Sequence, residues 1–130
     1  MANKKRVFIS FDYDHDEGAK TMLAGQAKLA DSPFDFTDAS VREHLTGDWK
    51  DKVRRRMDNI DVVVVLCGEY TNVATGVAAE LTIAQEKAKS YFLLAAYPDK
   101  TCKRPISAKS DDSVYKWTWP NIKTLIGGGR

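Results

Sequence analysis

The sequence predicts an α/β protein built on a doubly wound parallel sheet, and three observations support this prediction. Short apolar or β-branched segments recur at intervals long enough to hold a helix. Two of these segments lack the apolar–polar alternation of a half-exposed strand, as expected for strands that are covered on both faces. The intervening segments repeat apolar residues at helical spacing. This alternation of strands and helices favours a sheet with helices on both faces.

The predicted strands are the apolar segments themselves, Arg6–Phe11, Phe34–Thr37, Asp61–Cys67 and Tyr91–Tyr97. A fifth short strand and a last helix are expected within 114–126. The helix is placed near Pro120, because proline suits the first turn of a helix. Residues 127–130, three glycines and an arginine, are expected to fray.

Three helices are predicted from apolar residues that recur three or four positions apart, so that each set forms one stripe facing the sheet. The three sets are Ala19, Leu23, Ala27 and Ala30; Trp49, Val53, Met57 and Ile60; and Val77, Leu81, Ala84 and Ala88.

Length and composition restrict the function. The 130 residues suit one domain, 1–130, and the net charge of +2 makes nucleic acid a poor first candidate. The longest wholly apolar run, Val62–Cys67, is far shorter than the ~20 residues of a membrane span, so a cytoplasmic protein without a membrane partner is expected. The two cysteines have no metal-ligand spacing, and we expect both to be reduced, no metal to be bound, and Cys67 to be a core residue.

Ligands of a doubly wound sheet bind outside the carboxyl ends of its strands. The residues that the predicted strands deliver there are Phe11, Asp12, Tyr13, Asp38, Ser40, Gly68, Glu69, Tyr70, Tyr97 and Pro98. The set is aromatic and acidic. Neither GxGxxG nor GxxxxGK[ST] occurs in the sequence, so a Rossmann or P-loop nucleotide site is not supported.

The acidic run Asp12–Glu17 has two sharper interpretations, and both are weak. As a calcium loop it lacks the glycine and the bidentate glutamate of an EF-hand. As part of a receiver domain it lacks the phosphoacceptor aspartate at the end of the third strand, where Cys67 stands. A solvated acidic turn before a helix explains most of these charges.

Basic residues cluster once, at Lys50–Arg56. We interpret the cluster as a solvated helix face supported by two pairs at a spacing of four residues, Asp48 with Lys52 and Asp51 with Arg55.

Glu80 is the strongest catalytic candidate. On a helical wheel it lies about 60° from Val77 and about 40° from Ala84, so it is expected to border the buried stripe and to overhang the strand ends. A border glutamate with no chemical task is the alternative interpretation. Glu86, farther along the same helix, lacks such a placement.

At this point the sequence resembles a known family. The opening KRVFISFDYDHD is similar to the first box of TIR and TIR-like domains. The segments FDFTDAS, DVVVVLCGEYTNVATGVAAELTIAQEKAK and VYKWTWPNIKTLI resemble the prokaryotic TIR-like group that includes the ThsB proteins of the Thoeris anti-phage system. The block from the third strand through Glu80–Ala84 is the most specific part of the resemblance.

The resemblance implies a flavodoxin-like fold with a five-stranded sheet of order 2-1-3-4-5, whose catalytic members cleave NAD at the nicotinamide glycosidic bond. It places Glu80 on the catalytic glutamate and Phe11 with its neighbours in the substrate pocket. Many members have Trp three residues before the glutamate, where this chain has Val77. With the strand-end residues, the expected substrate contacts are Phe11, Asp12, Tyr13, Asp38, Gly68, Tyr70 and Val77.

Three functional hypotheses follow. The first is an NAD glycohydrolase or ADP-ribosyl cyclase, with NAD as substrate and no cofactor, which self-associates and sends a cyclic or modified ADP-ribose signal to a separate effector, as the resemblance implies. The second is a non-catalytic TIR-like interaction module, which the Val77 departure favours. The third, a receiver-like phosphosignalling domain, is disfavoured by the missing aspartate.

Overall fold

The computed structural model describes residues 4–40 and 47–129, which form a five-stranded parallel sheet in the order β2-β1-β3-β4-β5. The strands are β1 (Lys5–Ser10), β2 (Phe34–Ala39), β3 (Val62–Cys67), β4 (Ser90–Ala95) and β5 (Val114–Tyr115). The helices are α1 (Glu17–Gln26), α2 (Trp49–Met57), α3 (Thr75–Glu86) and α4 (Trp119–Ile126). The predicted flavodoxin-like fold and strand order are therefore confirmed.

The central strand shows why the sheet is covered on both sides. All six residues of β3 are buried. Successive side chains of a strand point to opposite faces, and Val62, Val64 and Leu66 pack with α1 and α4. The alternate residues, Cys67 among them, pack with α2 and α3. The prediction of Cys67 as a core residue is confirmed, because its exposed fraction is 0%.

The helical stripes are confirmed except at two positions. Ala30 and Ala88 are exposed, whereas the sequence pattern placed them on buried stripes. The prediction is wrong for Ala30 because α1 ends at Gln26, and it is wrong for Ala88 because α3 ends at Glu86. Ala88 takes a left-handed conformation with φ of 54°, which turns the chain away from the helix.

An irregularity in β2 decides which residues face α3. Val7 of β1 pairs with Phe36, but the next residue, Phe8, pairs with Asp38, so Thr37 has no partner in β1. An extra residue of this kind reverses the side-chain alternation after it. Asp38 therefore points to the face that carries α2 and α3, and Ser40, two positions later, points to the same face.

Ion pairs on α2 correct one detail of the sequence analysis. Lys52 lies 3.8 Å from Asp48, as predicted. Asp51, however, pairs with Arg54 at 3.0 Å instead of with Arg55, because positions three apart on a helix are also neighbours.

Across the described ranges, no helix combines the length and the apolar character that a membrane span needs.

Candidate functional site

Glu80 lies inside the protein, on the side of α3 that faces the sheet. Its exposed fraction is 1%. The Ser10 hydroxyl donates a hydrogen bond to Glu80 Oε1 at 2.9 Å, and the Ser40 hydroxyl donates to the same oxygen. The prediction that Glu80 borders the buried stripe was wrong, because its carboxylate points inward to these two hydroxyls.

The two serines reach Glu80 because of where their strands end. Ser10 is the last residue of β1, and Ser40 directly follows β2. The irregularity at Thr37 brings Ser40 to the same face as Ser10. The Phe11 N–H donates to Ser40 Oγ at 3.1 Å, which directs the Ser40 hydroxyl hydrogen toward Glu80. Two strand ends thus converge on one carboxylate.

Burial dominates the electrostatics of Glu80. Loss of hydration raises the pKa of Glu80 to about 7, although the hydrogen bonds from Ser40 and Ser10 lower it. The Arg56 guanidinium also lowers the pKa of Glu80, and the Asp38 carboxylate raises it. Arg56 and Asp38 pair with each other at 3.4 Å. A glutamate of this kind exchanges its proton near neutral pH, which is a property of groups at functional sites.

A cleft opens at the carboxyl end of the sheet. It has a volume of about 200 Å³ and lies between the loop after β1 and the start of α3. Phe11 and Tyr13 are among its lining residues, with ring centroids 5.8 Å apart, and Phe11 is buried in the core with an exposed fraction of 1%. Val77, one helical turn before Glu80, lies on the opposite side. Glu80 itself is not among the described residues of the wall.

The predicted contact residues fall into two groups. Those that line the cleft are Phe11, Asp12, Tyr13 and Val77. The others lie outside its described lining: Asp38 faces Arg56, Tyr70 stacks on His15 with ring centroids 4.2 Å apart, and Gly68 lies against Asp16. Their role in substrate binding stays a prediction.

Asp16 is the exception to the solvated acidic turn, in which Asp14 and Glu17 are exposed as expected. Its exposed fraction is 1%, and burial raises its pKa. The Tyr97 hydroxyl donates to Asp16 Oδ1 at 2.8 Å, and Oδ2 has no hydrogen-bond partner among the described groups. A Cβ atom at Gly68 would lie 2.6 Å from both carboxylate oxygens, so a larger residue there would force the Asp16 carboxylate to move.

The rest of the acidic loop is organised around His15. Asp12 Oδ2 lies 2.6 Å from His15 Nδ1, and this hydrogen bond raises the pKa of His15. Asp12, Asp14 and His15 all lie on the cleft wall. The cleft therefore presents acidic groups beside aromatic rings. The described residues contain no group of three or more side chains suited to hold a metal ion.

Sequence reasoning missed Ser10, Asp16 and Arg56. Ser10 lay inside the predicted strand Arg6–Phe11, and Arg56 was assigned to a solvated surface. Asp16 gave no signal, because an aspartate beside other acidic residues is usually exposed. Proximity to a strand end or to the helix that covers it is the signal that could have found Ser10 and Arg56.

The parallel sheet of order 2-1-3-4-5 and the buried glutamate on the third helix, held by residues at the ends of β1 and β2, agree with the TIR-like resemblance of the sequence. The comparison with known families agrees. The chain belongs to the family described as "Thoeris protein ThsB, TIR-like domain", whose model matches residues 8–103. It is a defence-related TIR-like domain. Comparison with curated proteins gave no match.

Proposed function

We propose that this domain cleaves NAD at the glycosidic bond between nicotinamide and ribose, with Glu80 as the catalytic carboxylate. The observation that carries the proposal is the environment of Glu80, which is buried, bonded to two serine hydroxyls and one helical turn after Val77, a residue of the cleft wall. Membership of the TIR-like family supports the same activity.

The chemistry needs one carboxylate and no metal. The bond between the nicotinamide nitrogen and ribose C1′ breaks, and its electron pair leaves with nicotinamide. The ribose then carries positive charge, as in the oxocarbenium-like transition states of glycoside hydrolysis. A negative Glu80 that contacts the ribose stabilises this charge. Water or a hydroxyl of the same nucleotide completes the reaction by attacking C1′.

The serine hydroxyls suggest how the ribose engages Glu80. Ser10 and Ser40 hold Oε1 with two O–H donors. The 2′ and 3′ hydroxyls of ribose are donors of the same kind, so they can replace the serine contacts without leaving the carboxylate unpaired. Substrate binding in this proposal therefore includes an exchange of hydrogen bonds at Glu80.

The cleft fits the nicotinamide end of NAD. Its volume of about 200 Å³ is below the roughly 300–1,000 Å³ that is usual for drug-sized ligands, so it suits one ring and its amide better than a whole dinucleotide. Tyr13 offers an aromatic ring, and Asp12 and Asp14 favour the positive charge of the bound nicotinamide ring. Val77 supplies an aliphatic wall.

The biological role that we propose follows the family. A cyclic or modified ADP-ribose released by the domain serves as a signal to a separate effector in defence against phages. Self-association of the domain promotes the reaction. NAD cleavage is the first step of this role, and it is the step for which the residues around Glu80 give a chemical argument.

The second candidate is a non-catalytic TIR-like module that acts through protein contacts. Two observations favour it. Glu80 is 1% exposed and lies outside the described wall of the cleft, and Val77 takes the place of the aromatic residue of many family members. In this alternative Glu80 only joins α3 to the ends of β1 and β2.

Nicotinamide release from NAD separates the two candidates. Purified protein is incubated with NAD over a series of protein concentrations, because self-association is part of the proposal. We expect release by the wild type and a decrease of about a hundredfold or more in Glu80→Gln, the scale of losing one preorganised electrostatic group.

Glu86→Gln is the matched control, because Glu86 lies on the same helix with half of its side chain exposed and only a 3.7 Å pair to Arg54. It should retain wild-type release. A wild type that releases no nicotinamide at any concentration contradicts the catalytic proposal and supports the interaction module. Equal losses in both variants indicate damage to α3.

A further inference from the structure

A second cavity lies at the carboxyl end of the sheet, on the face that carries α1 and α4. It is bounded by α1, by the segment after β4 and by the segment between β5 and α4. Its volume is about 610 Å³, three times that of the cleft near Glu80, and the two share no lining residue among those described. Carboxyl ends of parallel strands are where ligands of such sheets bind.

Aromatic rings form much of the cavity wall, and each is held by its polar end. The indole N–H of Trp117 donates to Gln26 Oε1 at 2.9 Å, and that of Trp119 donates to Asp31 Oδ2 at 2.9 Å. The Tyr97 hydroxyl donates to Oδ1 of Asp16, the buried aspartate directly before α1, at 2.8 Å. Because the polar ends are bonded to the protein, the wall is preorganised to accept a flat ring.

The charge of the wall is positive. Lys100 and Lys116 both line the cavity, and none of its described lining residues carries a carboxylate. Lys100 Nζ lies 4.6 Å from the centroid of the Tyr97 ring and 3.6 Å from Glu69 Oε1, at the rim. Cations beside aromatic rings select a ligand that joins a planar ring to an anionic group.

We propose that this cavity binds a small aromatic anion of the nucleoside monophosphate class, with the base against the tryptophan rings and the phosphate near Lys100 and Lys116. The volume lies within the range of small-molecule sites. The cleft near Glu80 has the opposite chemistry, since Asp12 and Asp14 lie on its wall. The proposal does not depend on whether Glu80 is catalytic.

Titration with AMP tests the proposal on the complete chain. Backbone amide shifts and tryptophan emission are followed as AMP is added. We expect the shifts to concentrate at 95–102 and 116–119. Lys100→Gln combined with Lys116→Gln should weaken AMP binding at least about tenfold, because both charged partners of the phosphate are lost.

Lys103→Gln is the matched control, because Lys103 is exposed and lies outside the cavity lining. It should bind AMP within about twofold of the wild type. Adenosine, which keeps the ring without the charge, should bind the wild type about tenfold more weakly than AMP does. The comparison of adenosine with AMP uses only the wild-type protein, so its result does not depend on whether a substitution affects folding.

Four results would overturn the proposal, and the first three concern AMP binding at this cavity. They are the absence of shifts at 116–119 at several millimolar AMP, equal affinity for AMP and adenosine, and unchanged AMP binding in the double lysine variant. Shifts confined to Phe11, Tyr13 and Val77 would also overturn it, while leaving NAD cleavage at the other cleft standing.

Discussion

Two buried carboxylates lie near the carboxyl end of the sheet, and they are satisfied differently. Glu80 and Asp16 are each 1% exposed, and burial raises the pKa of both. Glu80 accepts hydrogen bonds from hydroxyls at the ends of two strands, and Arg56 favours its charged form. Asp16 accepts one bond from Tyr97, and its Oδ2 has no partner among the described groups.

The difference separates a tunable carboxylate from a structural one. In our proposal the hydroxyl donors of Glu80 are replaced by ribose hydroxyls, and Val77, which lines the cleft, lies one helical turn before Glu80. Asp16 is packed against the Gly68 backbone, so a ligand has no room to approach it from that side. Burial and a raised pKa are common to both carboxylates, so our proposal that Glu80 is the functional one rests on the exchangeability of its partners.

The largest expected effect concerns the pH dependence of stability. The pKa of Glu80 rises from 4.5 to about 7 on folding, so the protonated form stabilises the native state. This contribution is fully present below about pH 4.5 and is lost as pH rises through about 7, a change of roughly 3 kcal/mol. Denaturant unfolding of wild type and Glu80→Gln across pH 4–8 measures it as their difference.

Asp16 changes stability in the same direction, beginning at its lower ordinary pKa of 3.8, and the difference between the two proteins removes its contribution. Parallel pH curves for wild type and Glu80→Gln would show that Glu80 has an ordinary pKa.

NAD cleavage should rise over the window in which stability falls, because the charged carboxylate is the active form in our proposal.

Gly68→Ala tests the packing around Asp16. The added methyl would meet both carboxylate oxygens at 2.6 Å, and we expect a loss of about 2 kcal/mol in the free energy of unfolding. Gly25→Ala is the control, because nothing lies within 4 Å of a Cβ there and alanine favours α1. Equal stability of Gly68→Ala and wild type would refute the close packing.

Tyr97→Phe has the smallest expected effect. It removes the hydrogen bond that lowers the pKa of Asp16, so this pKa should rise further, and the free energy of unfolding at pH 7 should fall by about 1 kcal/mol. Side-chain NMR of Asp16 measures the pKa directly. A lower or unchanged value would mean that Tyr97 does not hold the carboxylate.

The layered fold could be predicted because its signals are local. The continuous apolar run at Val62–Cys67 marks a strand covered on both faces, and the helical spacing of Leu81 and Ala84 marks the stripe of α3. The predicted stripe went wrong only past the helix ends, as at Ala88. The spacing of apolar residues predicts that a helix is present and which side is buried, but it does not predict well where the helix ends.

The site was less predictable, because it depends on pairing between distant segments. Glu80 could be singled out from its helix, but its two hydroxyl partners lie 70 and 40 residues away in sequence. Ser40 faces Glu80 only because of the irregularity at Thr37, which nothing in FDFTDAS announces. The second cavity joins residues of α1 with Trp117, which follows them by about ninety positions.

The central claim is that Glu80 is the catalytic carboxylate and Asp16 the structural one. The most direct test is nicotinamide release from NAD by Glu80→Gln and Asp16→Asn, measured side by side at pH 8 with wild type. We predict that Glu80→Gln loses about a hundredfold or more, while Asp16→Asn stays within about threefold of wild type. Wild-type activity in Glu80→Gln, or an equal loss in Asp16→Asn, would contradict this assignment.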